Sequence, residues 1–256
     1  MARLDVACSD IVSSVNAATF QIFEFLDNPD NADAIKSAHA SVAAVLASVK
    51  DAGGLVEDPG RRAIIDTLSA DAQKFNKTID VIATNVAEAN KQYRGPVQDS
   101  TRQLMADMGN MGRGLHNVGN IDALIIVADA WGNLASARSS LAFFAESRDV
   151  EEGKKSHEFL DAMGKELERL APALQSREGR ALYASLTQSR DNMLTALSDM
   201  EDLFASANEN ITLLLAEAQG LRNSILTLNA DVTAARNALG LEIIDSNGNA
   251  QKYMMA

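Results

Sequence analysis

From Leu186 to Val232 the chain returns a residue to one helical face at alternating steps of four and three: Leu186, Arg190, Met193, Leu197, Met200, Phe204, Ala207, Ile211, Leu214, Ala218, Leu221, Ile225, Leu228 and Val232. Only Arg190 is polar. No proline interrupts the run, and with its flanks it predicts one helix from 177 to at least 240, about 96 Å long at ~1.5 Å per residue. Most of the stability of such a helix comes from packing its apolar stripe, so shorter helices must lie along it in more than one set.

Turn signals divide the rest. Asp27-Asn28-Pro29-Asp30, Gly53-Gly54 through Pro59-Gly60, Ser147-Arg148-Asp149 and Pro172 through Gly179 put proline and glycine where helices stop and start. The predicted helices are 2–27, 31–52, 60–118, 120–147, 151–172 and 177 to at least 240, a pattern of short, short, long, repeated. Ile65, Leu68, Ala72, Phe75, Ile79, Ile82 and Val86 keep the phase of the first long helix. Gly95-Pro96 interrupts it, yet Tyr93, Val97, Thr101, Leu104, Met108, Met111 and Leu115 carry the phase onward, which predicts a kink and not a reversal. A repeat appears at an offset of 118: Arg62-Ala63-Ile64-Ile65 aligns with Arg180-Ala181-Leu182-Tyr183, and Leu68, Phe75, Ile79 and Ile82 align with Leu186, Met193, Leu197 and Met200.

Composition agrees with an all-α protein. There are 4 Pro and few aromatics (8 Phe, 3 Tyr, 1 Trp), while helix formers dominate. The six helices, two long and four short, bring both termini back to one pole if their rises are added with alternating sign. Two four-helix bundles stacked end to end follow as the expectation: 1–95 with 211–256, and 96–210.

The net charge of −12, from 23 basic and 35 acidic residues, is spread along the chain without a basic stripe and argues against nucleic acid or an anionic membrane surface as partner. Cys8, spaced with Leu4 and Ile11, reads as a small core residue and not a nucleophile. No apolar run reaches the ~18 residues of a membrane span, the longest, Ala123 to Trp131, being broken by Asp129. Met1-Ala2-Arg3-Leu4-Asp5 enters helical periodicity directly, so the chain is expected to be a piece cut from between two membrane helices that it does not itself contain.

One helix carries an anomaly. In Leu124, Val127, Trp131, Leu134, Arg138 and Leu141 the core spacing places an arginine at a core position. A buried guanidinium needs an anion, either an internal carboxylate or a ligand's. Counted from the far turn at ~1.5 Å per residue, Arg138 lies ~27 Å down, Thr101 and the Ser156-His157 pair ~25 Å, and Arg190 ~21 Å. Arg138, Thr101, Arg190, Arg102, Ser156, His157 and Trp131 are therefore the candidate ligand-binding set, with a mono- or dicarboxylate as ligand because guanidinium forks match carboxylates bidentately. The competing expectations are that Arg138 pairs with an internal Asp or Glu and that Arg190 turns outward. In the other bundle the core positions Ile11, Ala18, Ile22 and Phe25 carry no arginine; Ser14, Asn16, His39 and Asn76 could line a neutral site there or simply bond locally.

Enzyme chemistry finds no set of groups. No Glu-x-x-His pair is present, His39, His116 and His157 stand apart, and Gly109-Asn110-Met111-Gly112-Arg113-Gly114 lacks the Lys-Ser/Thr ending of a phosphate loop and reads as a loosened helix end. No catalytic residue, metal or cofactor is expected.

The order of helix lengths, the Gly95-Pro96 kink and the late Ala238-Leu239-Gly240 segment resemble the helical bimodular sensor domain of bacterial chemoreceptors and related sensor kinases. The resemblance implies a periplasmic domain anchored at both ends in the inner membrane, binding small organic acids inside one or both bundles, signalling through helix movement and working as a homodimer in the full-length receptor. The alternative is a module that docks a solute-binding protein or another helical partner without any small ligand.

Overall fold

A computed structural model describes the backbone of residues 2–254 and the side chains of residues 3–238. The protein is all-α, with no strand among the described residues. The helices are α1 (Ala2–Asp27), α2 (Ala32–Gly54), α3 (Pro59–Gln92), α4 (Gln98–Asn117), α5 (Ile121–Ser147), α6 (Val150–Leu170) and α7 (Arg177–Met254). A π-helical turn, Tyr93–Val97, joins α3 to α4, so the six-helix reading of the sequence holds. Pro96 has no N–H to donate, and the wider turn lets the helix continue past it. The glycine-rich segment 109–114 is not a loosened end: α4 stays helical to Asn117, and the reversal waits for Gly119, whose φ of +69° a side chain would resist.

Caps set the helix starts, and they repeat. Asn31 accepts from the Ala34 N–H at the start of α2, and Asp149 from the Glu151 N–H at the start of α6. Asp58 accepts from the Arg61 N–H and Ser176 from the Gly179 N–H, each opening a long helix. Both cap pairs are 118 positions apart, the offset read from the sequence. The next residues keep the correspondence: Arg62 donates to the Gly53 carbonyl at 2.6 Å and Arg180 to the Gln175 carbonyl at 2.9 Å. The two halves of the chain thus start their long helices with the same local device.

The chain packs as two compact units. The first contains residues up to Ala83 together with Glu209 onward, the second Thr84–Asn208. The first crossing therefore falls about three turns before Gly95-Pro96. The reason is packing: Ala89 and Val97 belong to the second unit's core, and Asn85 donates to Ser206 at 2.9 Å.

In the first unit the helices pair in a ring. Ser41 on α2 donates to Gln21 on α1, His39 on α2 meets Asn76 on α3, Arg61 and Lys74 on α3 meet Asp231 and Glu217 on α7, and Arg222 on α7 reaches Asn16 on α1. Asn16, His39 and Asn76, candidates for a neutral site, are consumed by these contacts. The apolar stripe of α3 from Ile65 to Val86 is buried, as are Ile11, Ala18, Ile22 and Phe25 of α1.

Cys8 is fully buried in this core, and burial, with a smaller contribution from Asp5, raises its thiol above the usual thiol range. The thiolate is the reactive form, so iodoacetamide at neutral pH should alkylate the native protein at least ~100-fold more slowly than the urea-unfolded chain. Mass spectrometry of timed samples checks this, and equal rates would place Cys8 outside the core.

The second unit repeats the ring with α4, α5, α6 and the first part of α7. Its core runs through Leu104, Met108, Leu134, Phe144, Leu160, Met163, Met193, Leu197 and Phe204. Phe144 and Phe204 meet edge to face with centroids 5.3 Å apart. Asp107, almost fully buried, stitches α4 to α7 by accepting from Ser185 at 2.6 Å and also takes a bond from Gln103.

Candidate functional site: an arginine-edged cleft in the second unit

The position of Arg138 corrects the sequence reading. The buried stripe of α5 is Ala123, Val127, Ala130, Leu134, Ala137, Leu141 and Phe144, so Ala130 and Ala137 occupy the places expected for Trp131 and Arg138. Trp131 is 39 % exposed, and Arg138 is exposed too. α5 is apolar around most of its circumference, so large apolar side chains do not by themselves single out one face. Alanines let α5 approach its neighbours closely, and that contact decides which face goes inward.

Arg138 nevertheless borders a cleft. Tyr93, Val97, Gln98, Thr101, Arg102, Met105, Arg138, Leu141, Ala142 and Met193 surround a cavity of about 270 Å³, close to the smallest volumes of small-molecule sites. The π turn supplies Tyr93 and Val97, α4 the next four residues, α5 Arg138 with Leu141 and Ala142, and α7 Met193. Of the seven predicted residues, Arg138, Thr101 and Arg102 are brought together here.

The electrostatics separate the two guanidinium groups on its rim. Arg102 is held by Asp99, one turn back on its own helix. Arg138 directs Nη1 at the Met105 sulfur, 3.4 Å away, and forms no ion pair among the described residues. A thioether is a weak, neutral acceptor, so most of the guanidinium's donors face the cleft mouth or solvent. Thr101 is nearly buried, and its hydroxyl has only the Met193 sulfur at 3.9 Å. The cleft therefore offers one guanidinium fork, one weakly engaged hydroxyl and an apolar back wall.

Of the remaining predicted residues, Trp131 is not part of the cleft lining, and Arg190, Ser156 and His157 lie elsewhere in the unit with partners of their own. Arg190, read as a carboxylate anchor, finds its anions within the chain: Nε donates to the Leu160 carbonyl at 2.7 Å, Nη2 to Asp161 at 2.9 Å and Nη1 to Asp191 at 3.0 Å. Ser156 is fully buried and donates to the Glu152 carbonyl. His157 meets Glu201 at 3.0 Å across the α6–α7 seam. Sequence reasoning missed Tyr93, Gln98 and Met105; the Gly95-Pro96 interruption was the available signal, because π turns recur at functional sites.

Arg190 explains a glycine. A Cβ on Gly164 would lie 2.6 Å from Arg190 Cζ and 2.7 Å from Nε, so the guanidinium lies against the α6 backbone where a side chain would stand. In an ordinary helix Gly→Ala stabilises by up to ~1 kcal/mol. Here Gly164→Ala should instead destabilise by about 1–2 kcal/mol, because Arg190 must give up its Leu160 contact. Adding the alanine to Arg190→Ala should restore the stabilising sign; urea denaturation of the four proteins measures it, and a destabilising alanine in both backgrounds would rule out the collision as cause.

Among the described residues no group of three or more His, Cys, Asp or Glu side chains is arranged to hold a metal ion, and no helix is long and apolar enough to cross a membrane. No protein-family model matches the chain, and no curated protein is detectably similar to it. What fold and cleft define is a class: an all-helical protein of two compact units, one of which carries an arginine-edged cleft.

Proposed function

We propose that this chain is the extracytoplasmic sensor domain of a bacterial transmembrane chemoreceptor, held in the periplasm between two membrane helices and working as a homodimer. In this reading it binds a small organic acid in the cleft of the second unit, and binding displaces its helices to signal. It has no catalytic role.

The observation that carries the proposal is the state of Arg138. Three arginines were candidates, and Arg190 and Arg102 are neutralised by carboxylates of the chain, whereas Arg138 faces a cleft and among the described residues meets only a thioether. A carboxylate ligand would give it two parallel charge-assisted bonds and could also reach Thr101. The cleft is built from α4, α5, α7 and the π turn, so a ligand filling it changes the packing between helices and not merely a surface loop.

Calorimetry against a panel of mono- and dicarboxylates tests the reading, with methyl shifts of Met105 and Met193 reporting where the acid sits. At least one acid should bind and move those methyls; a panel without binding rejects the site. The exposed apolar side chains Val118, Ile121 and Ile125 favour a second reading, a module that docks a solute-binding protein without a ligand of its own. An unresponsive cleft together with capture of such a protein would replace the first reading by the second.

A further inference from the structure

The cleft beside Arg138 is divided between a charged mouth and an apolar interior, and the division bears on which acids it can take. Arg102 and Arg138 are the charged residues of its lining. Arg102 is exposed and held by Asp99, so a second carboxylate drawn toward it would meet an anion along with the cation. Arg94, the next cation along the chain, lies outside the lining and has an interaction of its own.

The interior belongs to the core of the second unit. Val97 from the π turn, Leu141 from α5 and Met193 from α7 are each no more than 2 % exposed, yet all three line the cavity. Thr101 is the polar residue among them, and its hydroxyl is turned to the Met193 sulfur. Tyr93 and Gln98 add neutral polar groups nearer the surface. An ionised carboxylate taken out of water needs a cation or several strong donors, and a hydroxyl, a phenol and an amide do not replace a cation. One carboxylate can be held at Arg138, and a second has no equivalent place.

Size points the same way. At ~30 Å³ for each water, a cavity of 270 Å³ holds about nine water-sized volumes, more than one carboxylate fills. Carbon can take the rest. Each methylene moved from water onto such a wall strengthens binding about fourfold, whereas a second carboxylate kept in solvent leaves the wall uncovered.

We infer, resting on the reading of this cleft as the acid site, that its ligands are short monocarboxylates with an apolar tail and that dicarboxylates are discriminated against. The carboxylate sits on Arg138 and the tail on Val97, Leu141 and Met193.

Three acids of one shape that differ only at the end remote from the shared carboxylate test it: 4-methylpentanoate, succinamate and succinate, ending in isopropyl, amide and carboxylate. Calorimetry should rank them in that order, with 4-methylpentanoate at least ~10-fold tighter than succinate and shifting the methyl signals of Val97, Leu141 and Met193. From acetate to butanoate the affinity should rise about fourfold per methylene. A gain of function checks the cause. The Arg138 head lies against Met105, and Gln98 stands seven residues, ~10 Å, back along α4. Gln98 is exposed, so Gln98→Arg should leave the fold intact while adding the missing cation. Succinate should then gain at least ~5-fold and 4-methylpentanoate change less than about twofold.

Succinate as tight as 4-methylpentanoate, no rise from acetate to butanoate, or no gain for succinate in Gln98→Arg would each overturn the inference and leave Arg138 as an acid site. No binding by any of these acids, or binding undiminished by Arg138→Ala, would overturn the reading beneath it as well.

Discussion

Arg138→Ala should lower the affinity of the second unit for the proposed organic acid by about 10- to 150-fold while leaving the fold intact. The binding loss follows from removing charge-assisted hydrogen bonds of about 1.5–3 kcal/mol, at ~1.4 kcal/mol per factor of ten. The unchanged fold follows from the position found for Arg138: it is exposed and among the described residues makes no ion pair that its removal would orphan. A surface truncation of that kind changes stability by no more than about 0.5 kcal/mol. Arg138→Lys keeps the charge but loses the planar fork, so its affinity should lie between wild type and alanine. Calorimetry gives the affinities and urea denaturation the stabilities. Wild-type affinity in Arg138→Ala would remove Arg138 from the site, and a large stability loss would mean that the arginine has an internal partner after all.

Phe144→Ala should cost about 3–5 kcal/mol, the range for emptying a large aromatic from a packed core. Phe144 is fully buried, stands edge to face with Phe204, and lies 3.4 Å from where a Cβ on Gly153 would be. It therefore joins α5, α6 and α7, and the void left by its removal is bounded by helices that cannot all close on it. Phe143, the next residue, is 56 % exposed, and Phe143→Ala should change stability by no more than about 0.5 kcal/mol. Trp131, the single tryptophan, reports unfolding of the same unit by fluorescence. Similar losses in the two variants would contradict the face assigned to α5. Phe144 also holds the helix that presents Arg138, so acid binding by Phe144→Ala should weaken even under conditions where the variant remains folded.

The two tests ask different things of α5, and this is the helix on which sequence and structure part. For α3, α4 and α7 the alternation of three and four picks out the buried residues directly: Ile65 to Val86, Leu104 to Leu115 and Leu186 to Val232 lie inward with few departures, Arg190 and Ile211 among them. Those helices have charged residues on the opposite face, which leaves one orientation open. α5 has apolar side chains around most of its surface, so Leu124 and Trp131 compete with Ala123 and Ala130 for the interior. Size favours the former and closeness of approach the latter. Only the neighbouring helices can decide between them.

The grouping of the candidate residues was legible to a similar degree. Counting residues along helices brought Thr101, Arg102 and Arg138 to one level, and the structure places them round one cavity. The same count brought in Arg190, Ser156 and His157, which share the unit but point into other seams. A level along the axis says nothing about rotation around it. Tyr93 and Met105 were missed for that reason, since their entry into the cleft depends on the π turn and on the pairing of α4 with α5.

By itself the sequence determined where the helices begin and end, that they number six, and that the second half repeats the first at an offset of 118. These depend on neighbours in the chain: Asn31, Asp58, Asp149 and Ser176 cap the turn that follows each of them, and Pro59 and Gly119 act on their own backbone. Which arginine keeps its charge available was decided only by tertiary structure. Asp161 on α6 reaches Arg190, whereas among the described residues no carboxylate of a neighbouring helix reaches Arg138. Arg102 finds Asp99 on its own helix, a pairing the sequence spacing allows, whereas the Arg190–Asp161 contact crosses from α7 to α6 at a rotation and distance that packing alone sets.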